Sequence, residues 1–318
     1  MDTQLESVLA AAFPDRTVDE VGGTGPSWNE RNRTVHVEFA DAPPVFVKYA
    51  TDGSPTRITR ERAAMTYVGA NTAVPVATVV ASDIDHEVPY LATRPMAGEN
   101  YLKAWMDGDE AAHEALVRDL GETLARIHSL RFHEHGLLCG GDETTLDLDV
   151  DPWSEVLVAT IEDSRDLAPS DRFDHYFDEV IAKVRANAAL LDDAPAALLH
   201  GDPAKPNCYC TESGLGMLDW EIAHVGDPAR DLYRARAQQL DSFWVETPED
   251  LVTALYDGYR EQAGGLPDGY HEREPIYRAV WLLGTAGFYE NMSEFADEPA
   301  EEFAEMVDAE MQRRLADI

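Results

Sequence analysis

Apolar and polar positions alternate with period two over residues 34–39, where Val35, Val37 and Phe39 face away from Thr34, His36 and Glu38. Residues 45–49 continue as a strand with one lysine in it, Lys48. A helix precedes them. Thr3 and Glu6 have capping-box spacing, Leu5, Val8, Leu9 and Ala12 share a face, and Pro14 closes it. Residues 21–29 read as a glycine-rich turn, which makes the local unit strand, loop, strand. A helix is predicted over residues 54–69, then two strands at 74–80 and 88–93 around a polar turn at 82–87. Beyond Arg94-Pro95-Met96-Ala97-Gly98, a hinge marked by proline and glycine, the period changes to that of helices. Val117, Leu120, Leu124 and Ile127 line one ending near Ser129; others are predicted at 153–163 and 171–191. Residues 138–151, rich in glycine and acids, read as a loop. Asp227 and Pro228 have the order of an N-cap and first helical residue, and three C-terminal helices follow from residues 247, 274 and 299. The pattern predicts an α+β chain, antiparallel strands first and helices after. Its expected parts are residues 1–94, a hinge at 95–98, and residues 99–318.

Charge changes the picture more than hydrophobic content, which is ordinary at 44%. Acidic residues number 61 against 25 basic ones, a formal charge of −36. Such a chain repels nucleic acid and anionic membranes, so neither is expected as a partner, and no protein partner is evident. Lys48, Lys103, Lys183 and Lys205 are the only lysines, and the acids are spread along the chain instead of blocked in a tail. This reads as a halophilic, haloarchaeal-type surface, screened by molar salt. Cys139, Cys208 and Cys210 are odd in number and form no C-x-x-C pair, which argues against a disulfide framework or structural zinc. The start has no basic n-region, and no run approaches the ~20 apolar residues that span a bilayer. A soluble, cytoplasmic protein is the expectation.

The chemistry concentrates in residues 198–221. His200-Gly201-Asp202 is followed by Asn207 five residues after the acid, and by Asp219 after a turn tightened by Gly214 and Gly216. Asp219 and the Asn207 amide are hard oxygen ligands of the kind Mg²⁺ takes. Asp202 is left to orient an acceptor hydroxyl and to take its proton late in a phosphoryl transfer. The order H-x-D-x-x-x-x-N and then a separate Asp is that of kinase-type catalytic loops.

With Leu218-Asp219-Trp220-Glu221 and Gly226-Asp227-Pro228-Ala229-Arg230-Asp231-Leu232, this string resembles the aminoglycoside phosphotransferase and choline kinase superfamily, and the resemblance extends over nearly the whole chain. It implies a protein-kinase-like bilobal fold, with a small antiparallel-sheet lobe that binds nucleotide and a larger helical lobe that carries the catalytic loop and acceptor pocket. It implies ATP or GTP with Mg²⁺, and transfer to a hydroxyl of a small metabolite or an aminoglycoside-like acceptor. Glu61 is the sole acid within residues 54–71 and shares a stripe with Ile58, Met65 and Val68. A buried acid needs a cation, and in a kinase lobe Lys48 is the nearest, the pair that holds the α- and β-phosphates. By resemblance Ser27, Trp28 and Asn29 cover the phosphates, the backbone from Arg94 to Met96 meets the base, and Asp231 braces the catalytic loop. His128 reads as a packed structural histidine.

The middle of the loop, Pro203-Ala204-Lys205-Pro206, departs from the family's usual His-Pro-Gly. Lys205 is placed either to reach the phosphate or an anionic acceptor, or to face solvent. Glu221 is an auxiliary metal-ligand candidate. Two rivals stand beside a kinase: a non-catalytic nucleotide- or metabolite-binding pseudokinase, and a metal-dependent hydrolase using His200 and Asp202. The acidic surface removes any hint of a cationic acceptor, so sugars, amino alcohols and hydroxylated amino acids stay open.

Overall fold

The structure is a computed structural model that describes residues 2–23, 31–241, 247–294 and 299–318. Its elements in chain order are α1 (Thr3–Ala12), β1 (Val18–Gly23), β2 (Asn32–Phe39), β3 (Val45–Ala50), α2 (Thr56–Asn71), β4 (Val79–Asp83), β5 (Tyr90–Thr93), β6 (Glu99–Asn100), α3 (Tyr101–Asp107), α4 (Glu110–His128), β7 (Gly136–Gly141), β8 (Leu146–Val150), α5 (Trp153–Leu167), α6 (Asp174–Ala186), α7 (Ala188–Asp192) and β9 (Ala197–Leu199). After a 3₁₀ turn at Lys205–Asn207 come β10 (Cys208–Thr211), β11 (Gly214–Met217), β12 (His224–Gly226), α8 (Pro228–Gln239), α9 (Glu249–Ala263), α10 (Tyr270–Gly287), α11 (Tyr289–Ser293) and α12 (Ala300–Ala316). They group into two units. The first holds Met1–Leu116, Leu138–Leu148 and His200–Ala223; the second holds Val117–Leu137, Asp149–Leu199 and His224–Ile318.

In the first unit a five-stranded antiparallel sheet runs in the order β1-β2-β3-β5-β4. Alternation works as the sequence predicts: Val35, Val37, Val45, Val47 and Tyr49 are buried and pack with Leu5, Val8 and Leu9 of α1. Asp2, not Thr3, caps α1, its side chain accepting from the Leu5 amide at 2.7 Å. Asp2 also accepts from the Tyr49 hydroxyl, which ties the cap to β3. β10 and β11 form the expected hairpin, with Gly214 at its turn, and β6 adds a third strand.

Two further readings of the pattern need correction. Residues 74–78 are not strand: β4 starts at Val79, and Val76 makes only an isolated bridge to Met217. Pro75 has no amide to give a ladder; its carbonyl accepts instead from Met217 N at 3.1 Å. Residues 138–151 are a hairpin, not a loop. Asp142 accepts from the amides of Thr144 and Thr145 and folds the glycine-rich stretch into a turn. Leu146, Leu148 and Val150 do alternate with Asp147 and Asp149, but in a chain this acidic the alternation hides among acids that mark no boundary.

In the second unit β12 pairs antiparallel with β9 and with the start of β7, and helices pack around them. Asp227 caps α8 as expected and also takes the Arg273 guanidinium and the Tyr277 hydroxyl. The buried residue His128 lies between Tyr259 Oη at 3.0 Å and Asp231 Oδ2 at 3.3 Å, a structural bridge. α4 and α9 touch backbone to backbone. A β carbon at Gly121 would lie 2.1 Å from the Leu255 carbonyl oxygen, and one at Gly258 2.1 Å from that of Arg118. Gly258→Ala must push the helices apart, and we expect a loss of about 2–3 kcal/mol. Thermal unfolding checks this: the midpoint should drop by several degrees, and a shift within about one degree would contradict the contact.

Candidate active site

The turn after β11 sets the chemistry. Trp220 is fully buried and donates its indole N–H to the Met217 carbonyl at 3.1 Å, so its neighbours Asp219 and Glu221 both turn the other way, toward β3. Asp219 has φ +63, the sole positive value outside glycine among the described residues. Such a backbone persists only when its surroundings hold it. Here Leu218 N donates to Asn207 O at 2.8 Å on one side, and Trp220 anchors the other.

Lys48 Nζ meets three carboxylates: Glu61 at 2.7 Å, Asp219 at 2.5 Å and Glu221 at 2.8 Å. The expected strand-to-helix pair therefore exists and is extended by two acids from the loop. Glu221 is held further by Arg57 Nη1 at 2.8 Å and Asn32 Nδ2 at 2.9 Å. Burial works against the Lys48 charge, but Asp219, Glu61 and Glu221 outweigh it and raise the ammonium well above its ordinary range. The acids do not share the lysine equally. Burial lifts Glu61 to about 7 against the pull of Lys48. Asp219 is lifted too, by desolvation and by Glu221, although 40% of its side chain reaches solvent. Glu221 is buried as well, yet Lys48, Arg57 and Asn32 hold it at about 2. Oxygens of Glu61, Asp219 and Glu221 lie within 4.8 Å of one another, a donor set that suits a hard cation. When all three are ionised, three carboxylates face the Lys48 and Arg57 cations, which leaves negative charge for a further cation to meet.

Asp202 and Asn207 stand on the segment before β10. Asn207 Nδ2 donates to Asp202 Oδ2 at 2.8 Å and to the Asp202 carbonyl at 3.0 Å, which fixes the carboxylate and leaves the amide oxygen of Asn207 as its acceptor atom. Gly201 takes φ +84, an angle that admits glycine readily. His200 Nδ1 accepts from Asp202 N at 3.1 Å, so Nε2 carries the proton and donates to the Leu218 carbonyl at 2.9 Å. Both ring nitrogens serve the backbone, which leaves His200 no lone pair for a metal and removes the ground for the hydrolase reading. Instead His200 links the Asp202 loop to the strand that delivers Asp219.

Lys205 takes neither of its expected settings outright. Its ammonium lies 4.5 Å from the centroid of the Trp105 ring, which itself stacks on His113, and burial pushes it down to about 8. Arg94 is exposed and its amide goes to the Thr78 carbonyl at 2.9 Å; Met96 lies against Gly216 of β11. Ser27, Trp28 and Asn29 lie outside the described residues. Arg57 and Asn32 were not singled out in the sequence. Arg57 stands four residues before Glu61, on the same face of α2, and that spacing was the available signal.

The profile described as "Phosphotransferase enzyme family" matches residues 23–276. The chain belongs to this phosphotransferase family. No curated protein matches it in sequence. Among solved structures it is similar to choline kinase LicA from Streptococcus pneumoniae, at 14% identity and TM-score 0.61, covering 99% of this chain and 98% of that one. It is similar to a choline/ethanolamine kinase family protein from Mesorhizobium loti, at 17% identity and TM-score 0.59, over 99% and 98%. A thermostable mutant of aminoglycoside phosphotransferase APH(4)-Ia, in a ternary complex with ADP and hygromycin B, matches at 15% identity and TM-score 0.60, over 98% of each chain. At these identities the likeness is one of fold, and the phosphotransferase chain has the kinase-like α+β architecture that its sequence led us to expect. Among the described residues, no helix of this phosphotransferase is long and apolar enough to cross a membrane.

Proposed function

We propose that this chain is a small-molecule kinase that moves the terminal phosphate of ATP or GTP, with Mg²⁺, to a hydroxyl of a small acceptor. The observation that carries the reading is the contact of Lys48 with both Glu61 and Asp219, which brings strand, helix and loop together at one ammonium. Phosphoryl transfer is mostly positioning and charge neutralisation, and each part has a residue here. Lys48, positioned by Glu61, binds the α- and β-phosphates. Asp219 and the amide oxygen of Asn207 hold the metal, with Glu221 as auxiliary, and Mg²⁺ when bound neutralises charge on the phosphate oxygens. Asp202 orients the acceptor hydroxyl for in-line attack and receives its proton as the bond to phosphorus forms. Under this reading residues 1–94 are the nucleotide-binding lobe, with Ser27, Trp28 and Asn29 over the phosphates. Residues 95–98 are the hinge, the backbone from Arg94 to Met96 meets the base, and residues 99–318 form the lobe that takes the acceptor. The acidic surface fits a cytoplasmic enzyme of haloarchaeal type working in concentrated salt.

The test is an assay of the purified chain in molar KCl with Mg²⁺ and ATP or GTP, across sugars, amino alcohols, hydroxylated amino acids and aminoglycosides. Mass spectrometry should find phosphate on one acceptor class, and withdrawal of Mg²⁺ should stop it. Nucleotide binding without transfer to any acceptor class would instead identify a pseudokinase.

A further inference from the structure

Within the second unit, α5, α8 and α10 line a cavity that opens to solvent, with about 530 Å³ of empty space when the open mouth is included. Its wall carries two guanidiniums, Arg230 and Arg234, and the hydroxyls of Thr160 and Ser164, beside the apolar faces of Ile161, Val280 and Trp281. None of the described residues lining it is acidic. In a chain with 61 acids and 25 bases, that reversal of sign is local and specific.

Arg230 is the telling group. It is 7% exposed, and a buried guanidinium ordinarily has a carboxylate. Its partners are His224 Nε2 at 2.8 Å and Thr160 Oγ1 at 3.2 Å, both neutral acceptors, with the Trp153 ring at 5.9 Å. Among the described residues it has no carboxylate within ion-pair distance. The adjacent acid in sequence, Asp231, is turned to His128. Burial, and then the like charge of Arg234, push Arg230 down to about 10. Arg234 lies over Trp281, 5.3 Å from the ring centroid, so charge and aromatic surface stand together at the same wall.

We propose that this cavity binds a small carboxylate with an aromatic or aliphatic body, its anion on Arg230 and its body against Trp281, Ile161 and Val280. Two of the Arg230 donors are already engaged, which suits the two acceptor oxygens of a monoanion better than the three of a phosphate dianion. The site needs no nucleotide and does not rest on the phosphotransfer reading, whose named lysine, metal-binding and catalytic residues belong to the first unit.

Benzoate is the probe, titrated calorimetrically into the full chain at one fixed salt concentration, with benzyl alcohol and phenyl phosphate as controls. One saturable benzoate site is expected. Arg230→Lys keeps the charge but loses the fork, and should weaken binding about tenfold or more. Gly284→Leu plugs the cavity without touching a charge, because a β carbon at Gly284 meets nothing within 4 Å; it should abolish binding, and it decides the matter if the arginine variant does not fold. Absence of saturable binding in the unmodified chain, or equal affinity in Gly284→Leu, overturns the proposal. So does benzyl alcohol binding as well as benzoate, which would leave an apolar cavity only, or phenyl phosphate binding more tightly.

Discussion

Asp202→Asn is expected to lower the rate of phosphate transfer by about 10²- to 10⁴-fold, the contribution of a positioned base. That corresponds to roughly 3–5 kcal/mol of transition-state stabilisation. The substitution keeps the shape of the side chain and removes the charge that faces the acceptor. It also replaces the carboxylate oxygen that Asn207 Nδ2 approaches to 2.8 Å, so a small loosening of the loop accompanies it. Because Lys48 is held by Glu61, Asp219 and Glu221, Mg-nucleotide affinity should stay within about threefold, a binding difference under 1 kcal/mol. The measurement is kcat alongside nucleotide affinity by calorimetry, in the same salt. A variant that turns over at the full rate denies Asp202 its role; one that loses nucleotide binding equally shows that Asp202 acts on the nucleotide side.

Much of this site was legible because its chemistry is local in sequence. Asp202, Asn207 and Asp219 fall within eighteen positions, and the hairpin between them announces itself by Gly214 and Gly216. The Lys48–Glu61 pair was legible for a different reason: an acid on an apolar helical stripe demands a cation, and lysine is scarce in this chain. What escaped was long-range or conformational. Asn32 and Glu221 meet across 189 positions, and no periodicity reports such a contact. The positive φ of Asp219 is also silent in sequence, since aspartate enters both ordinary and left-handed backbone. The hairpin over residues 138–151 was missed because acids that elsewhere mark turns here fill the outward positions of a strand.

Glu221 does more in the cluster than its place in the sequence suggests. As a metal-ligand candidate it was an accessory; in the structure it is the acid most firmly ionised, tied to Lys48, Arg57 and Asn32 at once. Lys48 therefore has one fully ionised partner in Glu221, and two, Glu61 and Asp219, whose ionisation burial opposes. That inequality leaves Asp219, the most exposed of the three at 40%, as the carboxylate most open to a cation, whereas Glu61 and Glu221, at 9% and 10%, are turned first to the lysine.

Lys48→Met is expected to abolish transfer and also to destabilise the fold by about 3–5 kcal/mol near pH 8, the range for removing one partner of a buried ion pair. The pH dependence separates this from ordinary loss of packing. In the unmodified chain the Lys48 pKa is raised, so its stabilisation is complete below the unfolded value of 10.5 and is lost only as pH rises through the folded one. Lys48 itself therefore stays charged between pH 5 and 8, and the group that titrates in that window is Glu61, at about 7. In the variant, Glu61 and Asp219 lose their cation, and burial raises them further. A carboxyl with a raised folded pKa binds more protons folded than unfolded, so stability falls as pH climbs from its unfolded value toward its folded one. The gap between variant and parent should therefore widen from pH 5 to pH 8, with Glu61 responsible for more of it than the more exposed Asp219. Urea midpoints at the two pH values measure this, and Lys48→Arg, which keeps a cation, should show little widening. A gap that is the same at both pH values would mean that the three carboxylates do not depend on one ammonium, and the geometry on which the nucleotide site is built would have to be redrawn.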